Sequence, residues 1–533
     1  MLKDKLRKTK QELVVSSYLM TWKKPLEKKW VLLDSKNGKD LGGNLFRILQ
    51  ELTQNPAYKS YEIFVSANRN KIGTIKNLLC NYKIAGVKMI EKGSFSYAKL
   101  YARAGYIFTD TSYPLWYIKR PGQILLNTWH GTPLKAMGKD DKLQAWNMGN
   151  IQKSHLLSDY LVYPSNYMEE TMLAAYQLEN LYGGRILSLG YPRNSIFFDD
   201  KARKKMMTKV NPHKKKLICY MPTWRGSGSY VDSAGQTKTY QRYFRELDQL
   251  LQEDEIFMVR LHPFLADGID YSVYKHIQAF PEGLEPYDVL NCSDCLVTDY
   301  SSVFFDYANL GNPIVLFTYD LEDYKKERGV YYSIDDFPFP QARNPKELVE
   351  KMRMGKSYDD AAFRAYFCKY DRKDGAKALC QEVFSGADTG KRLAFNGKEK
   401  VLILAGDLIE GEDCHALKQL IESDKERNYY IAFRAEAMKE QAERLDRIAQ
   451  NAVLLPLAGT QIRAFREQIT RGYYRRFYMR NFAHLQMDRY IMYKNISADN
   501  EKALLPKSAM DLFFGRGESW MENWWSWKKF IDS

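Results

Sequence analysis

The sequence contains no long apolar run, and this absence limits where the protein can act. In its 533 residues, no stretch approaches the roughly 18 consecutive apolar residues that span a bilayer. The first ten residues, MLKDKLRKTK, are charged, and the apolar patch after them is too short for a secretory signal peptide. We therefore expect a cytoplasmic protein.

Cysteine is scarce: the chain has only seven cysteines, and they are widely spread along it. An odd and scattered set argues against a disulfide framework and for a reducing compartment. Cys292 and Cys295 have the spacing of half a zinc site, but no second pair or suitably spaced histidine accompanies them. The sequence also lacks a P-loop, a GxGxxG motif and a clear acidic cluster. We predict no structural metal and leave a loosely bound Mg²⁺ open.

Acidic residues are in the minority, with 65 Asp and Glu against 80 Lys and Arg, which gives a net charge of +15. Such an excess suits a polyanionic partner, either nucleic acid, an anionic membrane surface or a phosphate-rich substrate. Composition does not choose among them, and a basic solvated surface is the simple alternative.

Residues 1–30 concentrate this positive charge, with nine Lys and Arg against three acidic residues, interleaved with apolar side chains. Apolar residues on one face with basic flanks describe a helix that lies on an anionic bilayer. The same pattern describes an ordinary helix packed on the first domain, and the sequence does not separate the two.

Apolar segments typical of buried strands alternate with helical patterns from residue 31 onward, which predicts a parallel, doubly wound sheet. A second series of strands follows the first, and a third pattern looks like the opening half of another Rossmann unit. The strands are expected at 31–35, 61–67, 87–90, 106–110 and 123–127, then at 216–222, 255–263, 294–299 and 312–318, and finally at 400–406, 428–433 and 451–457.

One histidine stands at a strand end, where open α/β sheets place their chemistry. The apolar strand at 124–126 breaks into Trp129-His130-Gly131, which leaves one imidazole beside a flexible glycine. Histidine titrates near neutrality, so His130 is the best general base in the sequence. A lone histidine is usually structural, so whether His130 has a catalytic role has to be judged from the motif around it.

A second segment, at 297–324, has the same form of apolar strand, hydroxyl-rich turn and helix. Ser301 and Ser302 open that helix, where free backbone N–H groups and the positive end of the helix dipole bind phosphate. Simple N-capping explains one serine and leaves the other available. Asp306 falls four residues after Ser302 on the same helix face, where its carboxylate can accept from ribose hydroxyls.

Five ordered sequence blocks carry a resemblance to a known family. They are WHGTPLK at 129–135, GYPRN at 190–194, YMPTWRG at 220–226, VRLHP at 259–263 and TDYSSVFFD at 298–306. From about residue 31 to about residue 383, the chain resembles the CDP-glycerol glycerophosphotransferase family, whose members build teichoic acids and related polymers. One block alone is a weak signal, whereas five in order are a strong one.

The resemblance implies a GT-B-like α/β fold with two facing Rossmann-like domains. We expect an acceptor-side domain at 31–200 and a CDP-polyol-binding domain at 201–390, preceded by the basic segment at 1–30. An additional, partly Rossmann-like segment at 398–533 is expected to be glycosyltransferase-like, as in some relatives. With about 135 residues it is too short for a complete two-domain transferase.

The implied reaction moves glycerol phosphate or ribitol phosphate from CDP-glycerol or CDP-ribitol to a hydroxyl of a lipid-linked teichoic acid or capsule-type acceptor, with release of CMP. No cofactor is firmly implied. The resemblance also implies an enzyme that is peripheral on the inner face of the membrane, with an anionic membrane surface as a partner and no nucleic acid.

The resemblance implies catalytic roles for two histidines. His130 is the expected base, and His262, at the end of a strand in the opposite half, is expected to hold the diphosphate or the leaving CMP. Trp224 is a candidate stacking surface. The implied substrate-binding positions are Gly131, Thr132, Pro133, Leu134, Arg193, Thr223, Trp224, Arg260, Leu261, Ser301, Ser302 and Asp306.

Two alternatives stay open at this point. The first is a nucleotide-sugar glycosyltransferase of the same fold, and the second is a non-enzymatic scaffold that binds polyanions. The sequence does not separate glycerol from ribitol, or a primase that adds one unit from a polymerase that adds many.

Overall fold

The computed structural model describes residues 2–22, 24–141, 145, 148–223, 225, 233–261, 265, 268–322, 324, 329–386, 389–404, 419, 421–434 and 452–457. Within these residues the strands form three sheets, and every strand pair with a described register is parallel. The helices are α1 Leu2–Trp22, α2 Asn44–Gln54, α3 Ile72–Asn81, α4 Phe95–Arg103, α5 Met148–Leu157, α6 Asn166–Ala175, α7 Asp200–Val210, α8 Ser233–Leu250, α9 Pro286–Asn291, α10 Val303–Tyr307, α11 Pro345–Arg353, α12 Ala361–Phe367 and α13 Gly375–Ser385.

The first sheet has seven strands in the order β3-β2-β1-β4-β5-β6-β7. Val31, Leu32 and Leu33 of its central strand are fully buried, because helices cover both faces of the sheet. The reversal of strand order next to β1 is the doubly wound arrangement that the alternating pattern predicts. The strands are β1 Glu27–Asp34, β2 Glu62–Ala67, β3 Val87–Glu91, β4 Ala104–Thr109, β5 Ile124–Asn127, β6 Tyr160–Val162 and β7 Arg185–Leu187.

The second sheet has six strands in the order β10-β9-β8-β11-β12-β13. Successive residues of β11 pack into two different apolar clusters, with Leu296 on one face and Val297 on the other. This lobe is therefore also covered on both sides. The strands are β8 Lys216–Tyr220, β9 Glu255–Val259, β10 Ile277–Ala279, β11 Cys295–Thr298, β12 Ile314–Phe317 and β13 Gln341–Ala342.

The third sheet is formed by β14 Glu399–Leu404, β15 Arg427–Arg434 and β16 Ala452–Leu457, in that order. It packs against the first lobe, because Ile431, Leu454 and Leu455 share one apolar cluster with side chains of α5 and α6. The three sheets confirm the predicted α/β fold with two Rossmann-like lobes and an additional parallel segment.

One helix crosses the expected boundary between the lobes. Leu379, Cys380 and Val383 of α13 pack in the same cluster as Val31 and Leu33 of the first sheet. The first lobe is therefore completed by residues from the end of the expected 201–390 domain, because its sheet would otherwise leave an apolar face uncovered.

Helix α1 packs on the first lobe through its second half. Val14, Val15 and Tyr18 are buried against the side chains of α4 and of Trp116. The Tyr18 hydroxyl donates to the Ile118 carbonyl oxygen at 2.6 Å. Of the two interpretations of residues 1–30, packing on the domain therefore holds at these positions. Over the described residues, we find no helix with the length and apolar character needed to traverse a bilayer.

We expect Tyr18→Ala to lower the free energy of unfolding by about 3–5 kcal/mol, because it empties a fully buried aromatic site. The matched control is Met20→Ala two residues later, since Met20 is 65% exposed and should cost little. Denaturant unfolding of both variants checks this. Equal losses in the two would show that α1 does not dock as described.

Candidate active site

The loop that carries His130 begins directly after β5, at the carboxyl end of the first sheet. Trp129 adopts a left-handed backbone with φ of 51°, which side chains other than glycine rarely adopt. The Asn127 side-chain oxygen accepts from the Trp129 N–H at 2.9 Å, and the Asn44 amide donates to the Trp129 carbonyl at 3.1 Å. These bonds fix the direction in which the chain leaves the strand and presents His130 to the cleft between the lobes.

The His130 imidazole has a defined tautomer. Its Nδ1 lies 2.7 Å from the Asp110 backbone carbonyl oxygen, which can only accept a hydrogen bond. Nδ1 therefore carries the proton, and the lone pair is on Nε2. His130 is solvent-exposed, so this lone pair is accessible from the cleft. A neutral imidazole with a free Nε2 is the arrangement that a general base needs.

The surroundings of His130 favour its neutral form. His130 is open to solvent on one side only, and the packed protein on its other sides lowers the pKa of His130 below its ordinary value of about 6.5, because partial removal of water disfavours the imidazolium. The nearby Asp110 carboxyl offsets this only in part, and burial in turn raises the pKa of Asp110. Asp110 accepts from the Ser35 hydroxyl at 2.9 Å and from the Lys36 N–H at 2.7 Å.

The two lobes come into contact directly beside the base. A Cβ atom built on Gly131 would lie 2.6 Å from the Ser302 hydroxyl oxygen, so a side chain at this point would have to displace that hydroxyl. Gly131 belongs to the loop after β5, and Ser302 precedes α10 in the second lobe. The structure therefore brings the predicted base and the predicted hydroxyl-rich turn to opposite walls of one cleft.

The next three residues of the same loop, Thr132, Pro133 and Leu134, are buried, and their substrate-binding roles stay predictions. Thr132 is buried, and the Pro133 carbonyl accepts from the Tyr167 hydroxyl at 2.6 Å. Leu134 is buried in an apolar cluster of the second lobe. The Tyr331 N–H donates to the Leu134 carbonyl at 2.9 Å, which ties the loop down further. These atoms face packed protein and do not line an open site.

Arg193 and Asp306 form a buried ion pair, with Nη2 and Oδ2 2.7 Å apart. The second Arg193 nitrogen, Nη1, donates to the His130 carbonyl at 2.8 Å. Asp306 also accepts from the Tyr287 hydroxyl at 2.7 Å and from the Asn194 amide at 2.9 Å. Both Asp306 oxygens therefore accept hydrogen bonds within the protein, and its binding of ribose hydroxyls stays a prediction. Arg193 is buried and holds the carbonyl of His130, and its contact with substrate also stays a prediction.

Ser301 and Ser302 lie half-buried at the turn before α10. No side-chain hydrogen bond from Ser302 caps the helix, so capping does not explain this serine. Helix α10 has only five residues, which makes its dipole weaker than that of a longer helix. The two hydroxyls, rather than the helix end, are the donors that this turn offers.

The remaining predicted positions differ in their surroundings. The Thr223 hydroxyl is buried without a hydrogen-bond partner in the described part of the chain. Arg260 is half-buried and lies 3.8 Å from Asp40 of the first lobe, across the cleft. Leu261 packs in the core of the second lobe, and its contact with substrate stays a prediction. Trp224 and His262 lie outside the described residues.

Sequence reasoning missed several residues that shape the site. Asp110 follows β4 as His130 follows β5, so its place at a neighbouring strand end was the signal available. Arg225 pairs with Asp299 at 2.8 Å and with Asp320 at 2.6 Å, which ties the segment after β8 to the ends of β11 and β12. No local pattern in the sequence predicts these pairs.

Cys292 and Cys295 are both buried in the second lobe. Burial raises the pKa of both thiols to about 12. Among the residues that the structure describes, no group of three or more His, Cys, Asp or Glu side chains is arranged to hold a metal ion.

Comparisons with known proteins identify the family to which the chain belongs. The family model described as CDP-Glycerol:Poly(glycerophosphate) glycerophosphotransferase matches residues 16–385. The teichoic acid poly(glycerol phosphate) polymerase of Bacillus spizizenii is 28% identical over 405 residues, 72% of this chain and 100% of the relative. The Bacillus subtilis polymerase is 30% identical over 383 residues, 67% of this chain but 48% of the relative, so this chain spans about half of its length.

A solved structure of a variant of the wall teichoic acid polymerase TagF has the same fold. It superposes with a TM-score of 0.59 at 25% identity, over 72% of this chain and 95% of that one. The family match covers well over half of the chain. It contains the block at 129–135, with His130, and the block at 298–306, with Ser301 and Ser302. The chain therefore belongs to the CDP-Glycerol:Poly(glycerophosphate) glycerophosphotransferase family.

Proposed function

We propose that the protein transfers a polyol phosphate, glycerol phosphate or ribitol phosphate, from a CDP-activated donor to a hydroxyl of a lipid-linked teichoic acid or capsule-type chain. The observation that carries the proposal is the His130 ring, whose Nδ1–H is held by the Asp110 carbonyl while Nε2 is accessible from the cleft. Membership of the family supports the donor class.

In the proposed reaction, the acceptor hydroxyl attacks the phosphorus that bears the polyol. His130 Nε2 takes the hydroxyl proton, the new P–O bond forms, and the P–O bond to CMP breaks. Ser301, Ser302 and Thr223 supply hydroxyl donors to the donor phosphates from the second lobe, and Arg260 supplies positive charge. Because its pKa is lowered, His130 is neutral at and above neutral pH, and activity should fall as the ring gains a proton in acid.

Membrane association is a separate part of the proposal. The acceptor is lipid-linked, and Met20 is an exposed apolar side chain next to the exposed Lys24, Lys28 and Lys29. Apolar and basic side chains together favour contact with an anionic bilayer. We place the inner face of the membrane against this end of the first lobe.

His130→Ala should reduce turnover by about 10²–10⁴-fold, the usual contribution of a general base. Donor binding should survive, because the hydroxyls that hold the donor come from the second lobe. His130→Gln keeps a hydrogen bond but cannot take the proton, so it should be nearly as inactive. The assay uses labelled CDP-glycerol and CDP-ribitol with a lipid-linked acceptor. A folded His130→Ala protein within a few-fold of the wild-type rate would remove His130 from the mechanism.

Ser301→Ala combined with Ser302→Ala should weaken donor binding, because it removes two hydroxyl donors and leaves the base in place. Calorimetric titration with each CDP donor measures the change. The control is Ser272→Ala, an exposed serine of the same lobe that bonds only within its own turn. Wild-type affinity in the double variant would exclude the serine turn from the donor site.

Replacement of Lys24, Lys28 and Lys29 by Glu should weaken sedimentation with anionic vesicles, since each well-placed lysine contributes on the order of 1 kcal/mol. The loss should be larger at low salt than at high salt. The matched control replaces Lys59, Lys76 and Lys346, which are also exposed, by Glu. If both triple variants lose binding equally, the attraction is a property of net charge and this surface is not the contact.

A further inference from the structure

The third sheet lies behind the loop that carries His130 and outside the residues 16–385 that the family model matches. We propose that this sheet and His155 of α5 position the catalytic base. They complete the row of ring contacts that fixes the Trp129–His130 backbone. The inference rests on the proposed function, because it gives the sheet a part in that reaction. His155 is a positioning residue here, since it acts on His130 through Trp129.

Four rings form a continuous row of tilted contacts from the cleft into the first lobe. The centroid of His130 lies 4.4 Å from that of Trp129, and Trp129 lies 5.4 Å from His155. His155 in turn lies 5.3 Å from Tyr176. His155 is fully buried, and neither ring nitrogen has a hydrogen-bond partner among the described residues. Burial lowers the pKa of His155 to about 3, so it packs as a neutral flat ring.

The ring contacts matter because Trp129 has a strained backbone. A left-handed φ at a bulky residue persists only where the surroundings determine it fully. The hydrogen bonds from Asn127 and Asn44 hold the peptide groups, and the indole, 5% exposed, is held by its apolar cluster. His130 is the next residue, so the direction of its side chain depends both on these hydrogen bonds and on the packing of the Trp129 indole.

The third sheet supplies one wall of that apolar cluster. Ile431 and Leu454 belong to the same cluster as Trp129. Gln152 of α5 donates from one amide nitrogen to the Tyr176 carbonyl at 2.9 Å and to the Leu454 carbonyl at 3.0 Å. This amide therefore joins β16 to Tyr176, the residue at the inner end of the row of rings.

The contact between α5 and β16 is as close as the backbone allows. A Cβ atom on Gly149 would lie 2.0 Å from the Pro456 carbonyl oxygen. Any side chain at 149 must therefore push β16 away from α5, the helix that carries His155. This close approach provides a way to loosen the sheet without touching the cleft.

The test compares Gly149→Ala with Gly73→Ala. Both glycines are the second residue of a ten-residue helix in the first lobe, but a Cβ on Gly73 meets nothing within 4 Å. Gly149→Ala should lower kcat about tenfold, because a small misplacement of the base is costly, and should leave the donor Kd within about twofold. Gly73→Ala should match the wild type in both.

A second pair of variants separates positioning from folding. His155→Ala removes the ring and should lower kcat about as much as Gly149→Ala. His155→Phe keeps a flat ring and loses only nitrogens that have no partner among the described residues, so it should restore kcat to within about twofold of wild type. If Gly149→Ala fails to fold, this pair decides. Equal kcat in His155→Ala and His155→Phe would overturn the inference.

The acid limb of the pH–rate profile gives a readout that a purely structural role would not move. Looser packing on the protein side of the His130 ring should raise the pKa of His130, so the acid limb should move to higher pH in Gly149→Ala. Asp110, Lys36, Arg193 and His155, the titratable and charged groups that face His130, are unchanged in this variant.

NMR titration of the His130 ring signal measures the same change without turnover. A higher His130 pKa in Gly149→Ala than in Gly73→Ala supports the inference, and identical values overturn it. If the wild-type protein transfers polyol phosphate from neither CDP donor, the proposed function fails, and the titration still decides whether the sheet positions His130.

Discussion

The buried contact of Arg193 with Asp306 is the constraint on which the arrangement of the site depends. One guanidinium joins the carbonyl of the base residue, in the first lobe, to a carboxylate of α10, in the second. It also packs over the rings of Tyr191 at 4.6 Å and Tyr287 at 5.1 Å. Removal of either charge would leave the other buried and uncompensated, which is strongly unfavourable. The pair therefore sets how closely the base and the serine turn approach.

A second buried ion pair connects the two lobes at another edge of the cleft. Arg47 of α2 pairs with Asp288 of α9 at 2.7 Å, and the Gly43 N–H donates to Glu285 at 2.9 Å. Both carboxylates come from the second lobe. Because two buried ion pairs connect the lobes, the protein itself sets the distance from His130 to the hydroxyls of Ser301 and Ser302. Such a fixed separation suits phosphoryl transfer, which depends chiefly on positioning and on electrostatic stabilisation.

The fold was largely predictable from the sequence, and the site only in part. Strand and helix positions follow from local apolar periodicity, which is why the strand before His130 and the strand before Ser301 were placed correctly. The partners of Asp306 were not predictable, because Arg193 lies 113 residues away and only the folded chain brings them together. Asp110 was overlooked for the same reason, since its carbonyl matters only once β4 and β5 are adjacent.

The residues of one motif differ in where the fold places them. In the block at 129–135, His130 faces the cleft, whereas Leu134 enters the core of the opposite lobe. In the block at 298–306, Ser302 borders the cleft, whereas Asp306 pairs with Arg193 in the buried contact between the lobes. Each block thus joins a residue of the proposed chemistry to a residue of the contact between the lobes. A base at the edge of one lobe is useful only if the other lobe is held at a fixed distance from it, so the proposed reaction depends on the buried residues of these blocks as well as on His130.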